Sequence, residues 1–139
     1  SKEMIDAMKN ELIPLCLILT PNLAELGALA PGLNEESAVA SLDCPWVLVT
    51  TTDTSEIQIE HRLYHDSTLI KKFTYTKLPG QYHGSGCTLS SAIAALIELN
   101  ASVEDACKGG LEYTYQSLLS AQKIGKMQYH PKRTAPKDI

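Results

Sequence analysis

Hydrophobic and polar positions follow each other along this chain in more than one rhythm, and each change of rhythm marks an element. Met4, Ile5, Met8 and Leu12 recur at helical spacing, which predicts an opening amphipathic helix that Pro14 ends. Leu15-Cys16-Leu17-Ile18-Leu19 is a short unbroken apolar run, the signature of a parallel strand buried on both faces. Pro21 and Asn22 stop that strand, and Leu23, Leu26 and Leu29 begin a second helix. This order sets Thr20, Asn22 and Glu25 at the carboxyl end of a strand, the edge where open α/β sheets bind ligands. Pro31-Gly32 breaks the helix, and Asn34-Glu35-Glu36-Ser37-Ala38-Val39 reads as a short capped one. Pro45 to Thr50 is a second buried-strand signal, ending in the hydroxyl residues Thr50-Thr51-Thr52.

The period then drops to two. Ile57, Ile59, His61, Leu63 and His65 alternate with Gln58, Glu60, Arg62 and Tyr64, as in a half-exposed strand. Asp66-Ser67-Thr68 supplies a turn and Leu69 to Thr76 returns, which predicts a β-hairpin. Leu78-Pro79-Gly80 leads to His83-Gly84-Ser85-Gly86-Cys87-Thr88-Leu89-Ser90-Ser91-Ala92-Ile93-Ala94-Ala95-Leu96, a glycine-rich turn opening a buried helix. Asn100-Ala101 stops it, and Ser102 with Asp105 resembles a capping box for a last helix through Cys107, Leu111, Tyr115, Leu118 and Leu119. Gly109-Gly110 inside that helix costs up to ~1 kcal/mol per glycine relative to alanine, so a close backbone approach is expected there. From Lys126 onward the chain is polar and contains proline. Residues 1–125 are expected to form the folded part and residues 126–139 a surface tail. The order α-β-α-α-β-hairpin-α-α fits an α/β sandwich with an antiparallel hairpin at the sheet edge.

Composition narrows the function classes. The 139 residues are enough for one domain, and 44% hydrophobic with 20% charged residues is ordinary for a soluble protein. A formal net charge of −4 argues against nucleic acid as a partner. No signal peptide and no bilayer-length apolar run is present, so no membrane partner is expected. Cys16, Cys44, Cys87 and Cys107 are scattered without a Cys-x-x-Cys pair, which predicts a reduced, cytoplasmic protein without disulfides or structural zinc. Ser1-Lys2-Glu3-Met4 opens inside a helix already under way, so the chain is expected to be a fragment or a processed piece.

Chemistry concentrates at two places. In the Gly84-Ser85-Gly86-Cys87 turn, backbone N–H groups of Ser85, Gly86 and Cys87 would form an anion hole at the positive end of the helix dipole. The same glycines would equally serve a loop that merely packs tightly. Cys87 stands where that field stabilises a thiolate, as base or nucleophile, or is an inert thiol. A Cys87/His83 hydrolase is the weaker idea, because nothing orients His83. Asn22 and Glu25 form either a capping box or a Mg²⁺- and phosphate-holding pair, and the spacing alone favours the cap. His61, His65 and His130 show no ligand spacing and read as surface or satisfied positions.

Thr20-Pro21-Asn22-Leu23-Ala24-Glu25 and His83-Gly84-Ser85-Gly86-Cys87-Thr88-Leu89-Ser90-Ser91-Ala92, in this order, resemble the hydroxymethylpyrimidine/phosphomethylpyrimidine kinases of thiamine biosynthesis, within the ribokinase-like superfamily. Leu111-Glu112-Tyr113-Thr114 and Gly125-Lys126-Met127 are similar to segments of its divergent bacterial members. The resemblance runs from Met4 to about Arg133 and implies the C-terminal half of a three-layer α/β/α sandwich. It further implies ATP- and Mg²⁺-dependent phosphorylation of hydroxymethylpyrimidine and its monophosphate. Gly84, Ser85 and Gly86 would be the anion hole, Cys87 the base, and Asn22 and Glu25 the metal and phosphate organisers. Where relatives carry a Lys-Gly-Gly-like nucleotide loop, this chain has Thr50-Thr51-Thr52-Asp53, which leaves Thr50 and Thr52 as its nucleotide contacts. That departure supports a second expectation, a nucleotide- or pyrimidine-binding module without turnover. Family members are about twice as long, so a missing N-terminal half or partner chain is expected to cover a raw sheet edge and apolar surface, and a homo-oligomer is expected. Activity is expected of the full-length protein rather than of these 139 residues by themselves.

Overall fold

The computed structural model describes residues 1–53, 57–78 and 85–124. These fall into two compact units, Ser1–Lys77 and Leu78–Ile139. The expected boundary between 125 and 126, and the tail beyond it, lie outside the described residues.

The first unit opens with α1 (Lys2–Ala7), capped by the Ser1 hydroxyl, which accepts the Met4 N–H at 3.2 Å. The helical path continues through a widened π-type turn, Met8–Leu12, and a 3-10 turn, Ile13–Leu15, where Pro14 ends it. Here two expectations are corrected. The opening segment does not bury its apolar stripe, since Met4 is 65% and Leu12 58% exposed, and Ile13 is the residue of this stretch that enters the core. The apolar run after it yields only a two-residue strand, β1 (Ile18–Leu19), not a strand buried on both faces. The physical reason is that Leu15 belongs to the 3-10 turn and that, among the described residues, β1 has a strand neighbour on one side only, so Leu15 and Leu17 stay 83% and 48% exposed.

β2 (Trp46–Asp53) pairs in parallel with β1, and β3 (Gln58–His65) and β4 (Thr68–Thr76) follow antiparallel, giving the order β1-β2-β3-β4. The hairpin turn is tighter than expected. Only Asp66 and Ser67 form it, with φ of 49° and 68°, the paired positive values of a type I′ turn whose twist suits its strands. Two short helices, α2 (Leu23–Leu29) and α3 (Glu35–Ser41), cover one face of the sheet. Leu26 and Ala30, with Ala38 and Val39, form one buried cluster with Val47, Val49 and Tyr64. Each buried aliphatic side chain contributes about 1.5–3 kcal/mol. Leu48 sits opposite Leu63, both fully buried, so β2 is covered on both faces as its apolar run predicts.

The half-exposed reading of β3 needs revision on its polar side. Arg62 Nε donates to Glu35 Oε2 at 2.6 Å, Arg62 Nη2 donates to Glu35 Oε1, and Arg62 Nη1 reaches Glu60 Oε2 at 2.8 Å. Tyr64 adds its hydroxyl to Glu35 Oε2 at 2.6 Å. The Arg62 guanidinium beside Glu35 holds that carboxyl below the usual range, and burial with the Glu35 hydrogen bond pushes the Tyr64 phenol up. Of the histidines, His61 is buried and its pKa is lowered to about 4 by desolvation, while His65 stacks on Trp46 with ring centroids 3.9 Å apart. His130 lies outside the described residues.

The second unit is a helical hairpin, α4 (Ser85–Glu98) and α5 (Val103–Ile124). Asn100, with φ of 70°, ends α4, and the Ala101 and Asn100 N–H groups return to Leu96 and Ile97 carbonyls at 3.0 and 2.9 Å, a Schellman closure. Ser102 caps α5 by accepting the Asp105 N–H at 3.1 Å. Gly109 and Gly110 face α4 so closely that an added Cβ would lie 2.7 Å from Leu96 Cδ1 and 2.7 Å from Ile93 Cγ1 respectively. This is the close approach the glycine pair predicts. Among the described residues no helix is long and apolar enough to cross a membrane.

Candidate functional site

The β1–α2 junction is built from backbone outward. Pro21 contributes its carbonyl, which accepts the Thr50 N–H at 3.0 Å and the Thr50 hydroxyl at 3.4 Å. A further parallel bridge links Asn22 with Thr50 beyond the end of β1. The turn is thereby fixed to β2, and Asn22 and Glu25 stand just past the carboxyl end of β1, with Asn22 bridged to Thr50 of its parallel neighbour β2. The sheet edge there has the topology that binds ligands in open α/β folds.

Asn22 and Glu25 make a complete capping box. Asn22 Oδ1 accepts the Glu25 N–H at 2.8 Å, and Glu25 Oε1 accepts the Asn22 N–H at 3.0 Å. Both side chains remain exposed, and Asn22 Nδ2 and Glu25 Oε2 take no part in the box. Among the described residues no group of three or more His, Cys, Asp or Glu is arranged to hold a metal. A Mg²⁺ ion needs no such cage, because it keeps several waters and binds through one or two carboxylates plus phosphate oxygens. An exposed carboxylate oxygen already oriented by its partner fits that requirement.

The Thr50-Thr51-Thr52 segment differs from the loop the sequence suggests. β2 continues through it, with Thr52 opposite Glu60 and Asp53 opposite Ile59 after an irregularity between Val49 and Thr52. Thr50 is buried and its hydroxyl is engaged by Pro21, so its observed work is to hold the turn that presents Asn22.

Gly84 and His83 lie outside the described residues. Ser85 begins α4, and the N–H groups of Ser85, Gly86 and Cys87 therefore have no carbonyl one turn back within the helix. A Cβ built on Gly86 meets nothing within 4 Å. Packing among the described atoms thus does not require glycine here, unlike at Gly109 and Gly110. Cys87 is exposed, whereas Thr88 and Leu89 beside it are buried. The four thiols are all free, and they divide by surroundings. Burial pushes Cys107 up to about 12 and raises Cys44, which suits inert packing thiols. The structure brings Asn22, Glu25 and Thr50 together in the first unit, and Ser85, Gly86 and Cys87 together in the second. The Glu35–Arg62–Tyr64 network escaped sequence reasoning, although a glutamate in the first turn of a capped helix and an arginine on an alternating strand were its available signals.

Residues 1–132 match the model of the phosphomethylpyrimidine kinase family. A hydroxymethylpyrimidine/phosphomethylpyrimidine kinase of Mycobacterium tuberculosis is 31% identical over 131 residues, covering 88% of this chain and 48% of that protein. In fold the chain is similar to a Bacillus subtilis pyridoxal kinase solved as an ADP complex, with a TM-score of 0.82, 24% identity and coverage of 97% of this chain and 54% of that one. A Staphylococcus aureus pyridoxal kinase in complex with AMP-PCP gives a TM-score of 0.82 at 20% identity, over 94% of this chain and 52% of that one. The chain spans about half the length of the relatives it matches. Its mixed α/β architecture is that of the ribokinase-like fold. With the match running through both units, from α1 to the far side of α5, the chain belongs to the phosphomethylpyrimidine kinase family.

Proposed function

We propose that the full-length protein transfers the γ-phosphoryl group of ATP to the hydroxyl of hydroxymethylpyrimidine, and then to its monophosphate, supplying thiamine biosynthesis in the cytoplasm. The observation that carries this reading is the exposed Cys87 in the first turn of α4, beside a glycine that packing leaves open. Phosphoryl transfer asks for positioning and charge neutralisation more than covalent chemistry. In the anion hole assigned to Gly84, Ser85 and Gly86, the backbone N–H groups of Ser85, Gly86 and Cys87 donate to the transferred phosphoryl oxygens as negative charge gathers there. As the substrate oxygen bonds to phosphorus and the bond to the β-phosphate oxygen breaks, Cys87 Sγ takes the hydroxyl proton. Glu25 and Asn22 serve as the metal and phosphate organisers through their remaining polar atoms, each side chain oriented by the box they share. Mg²⁺ bound through Glu25 would supply charge neutralisation at those phosphates. Thr50 and Thr52 serve the nucleotide at the end of β2, Thr50 by holding the Pro21 turn.

A second reading, a nucleotide- or pyrimidine-binding module without turnover, draws support from β2 running as a strand where relatives are expected to carry a glycine loop. One assay separates the two. Full-length protein with ATP and Mg²⁺ is offered hydroxymethylpyrimidine or pyridoxal, and product is followed by coupled ADP release. Turnover of hydroxymethylpyrimidine that Cys87→Ala lowers at least tenfold, with an unchanged circular dichroism spectrum, supports the kinase. Calorimetric binding without ADP release favours the module, and preferred turnover of pyridoxal reassigns the substrate.

A further inference from the structure

Two thiols meet at the entry to the sheet. β1 and β2 run in parallel with Ile18 opposite Trp46 and Leu19 opposite Val47. Counted back two places, that register sets Cys16 against Cys44, each just ahead of its strand. The Cys16 backbone is already extended, with φ of −86° and ψ of 140°. The Cys44 thiol reaches across the gap, donating to the Cys16 carbonyl at 3.5 Å as well as to the Trp46 carbonyl at 3.2 Å. Neighbouring strands lie about 4.8 Å apart, and a disulfide spans Cα atoms about 4.4–6.8 Å apart. Cys44 belongs to the buried cluster with Val47 and Val49, and half-buried Cys16 packs against that cluster. Burial raises the Cys44 pKa most, and the nearby Cys16 charge raises it further, so the two sulfurs sense each other.

We propose that Cys16 and Cys44 form a redox-sensitive pair, in which a hydroperoxide oxidises Cys16 and Cys44 resolves it as a disulfide joining the entries of β1 and β2. The resting form is the dithiol. Half-buried Cys16 meets the oxidant first, while burial keeps Cys44 for the second step. The Cys16 thiolate bonds to one peroxide oxygen, the O–O bond breaks, and the departing hydroxide takes the proton that the thiol released. Cys16 is then a sulfenic acid. Cys16 Sγ gives up its bond to the Leu12 carbonyl at 3.4 Å and turns to Cys44. The Cys44 sulfur bonds to it, the S–O bond breaks, and the hydroxide leaves as water with the Cys44 proton. Two thiols have lost two electrons in all, and one peroxide has become two waters. The pair takes no part in phosphoryl transfer, so an inactive protein would leave the inference intact.

The test treats full-length protein with hydrogen peroxide, alkylates it with iodoacetamide under denaturing conditions and digests it without reductant. Mass spectrometry is expected to find the Cys16 and Cys44 peptides joined, with alkylation of both lowered at least tenfold and restored by dithiothreitol. Cys44→Ser is expected to let Cys16 run on to sulfinic acid, which dithiothreitol does not reverse. Cys16→Ser is expected to leave Cys44 a thiol. The wild-type result decides even where a variant fails to fold. Wild-type Cys16 ending as sulfinic acid, both thiols staying open to alkylation, or Cys16 joined to any other cysteine would each overturn the inference.

Discussion

At the scale of single residues, three glycines show how the same residue type answers to different demands. Gly109 and Gly110 are held by steric neighbours in α4, whereas among the described atoms nothing lies within 4 Å of a Cβ built on Gly86. Alanine has the higher helix propensity by up to ~1 kcal/mol, so Gly86→Ala is expected to leave the thermal midpoint unchanged or raise it. If the α4 N-terminus cradles the transferred phosphoryl group, the same substitution crowds the ligand and lowers kcat/KM about tenfold, or ~1.4 kcal/mol. A melting curve and a rate measured on one variant check both halves. The Asn22/Glu25 pair was legible in the sequence as a cap, because the box depends only on local spacing. The engagement of the Thr50 hydroxyl by Pro21 was not, since it joins the turn after β1 to a residue within β2, 29 positions further along the chain.

At the scale of elements, local signals performed well and pairing signals less so. Asn34, Asn100 and Ser102 all terminate or begin helices as their types suggest. β1 is shorter than its apolar run because such a run does not reveal whether a strand has neighbours on both sides. The extension of β2 through Thr52 and Asp53 likewise depends on β3 offering Glu60 and Ile59 as partners, a long-range fact. The α4–α5 contact yields a paired expectation. In Gly110→Ala the new methyl meets Ile93 Cγ1 and lies 3.4 Å from the Ile93 backbone nitrogen, atoms with little freedom, and a loss of about 1–3 kcal/mol is expected. In Gly109→Ala it meets only the tip of Leu96, which can turn aside, and the change stays within about 1 kcal/mol of neutral. Urea denaturation of the two variants side by side measures the difference.

At the scale of the whole molecule, the enclosed groups His61 and Glu35 each contribute to the response to acid. His61 is kept neutral in the folded state, with its pKa lowered from 6.5 to about 4, so the unfolded chain binds a proton that the native state refuses. The stability that His61 contributes is therefore fully present above pH 6.5 and is lost as the pH drops toward 4, by up to about 1.4 kcal/mol per pH unit. Glu35, whose carboxyl is held below its ordinary value of 4.5 by Arg62, adds a loss that begins under pH 4.5, when the unfolded carboxyl takes a proton first. Denaturant midpoints between pH 7 and pH 4 are expected to decline in this pattern, and His61→Leu is expected to flatten the upper part of the curve. The α/β class was readable from the order of apolar runs, but neither the division at Lys77 nor the exposed opening stretch could be read from it.

The stack of Trp46 on His65 gives this division a practical use. Trp46 is the single tryptophan of the chain and sits where β2 and β3 first pair. Its indole emission is thus an optical label built into the Ser1–Lys77 unit, with none in the other. Far-ultraviolet circular dichroism, by contrast, is weighted toward the long helices α4 and α5 of the Leu78–Ile139 unit. Recorded together during one denaturation, the two signals act as separate clocks for the two units, and coincidence of their midpoints becomes a direct measure of how cooperatively the halves melt.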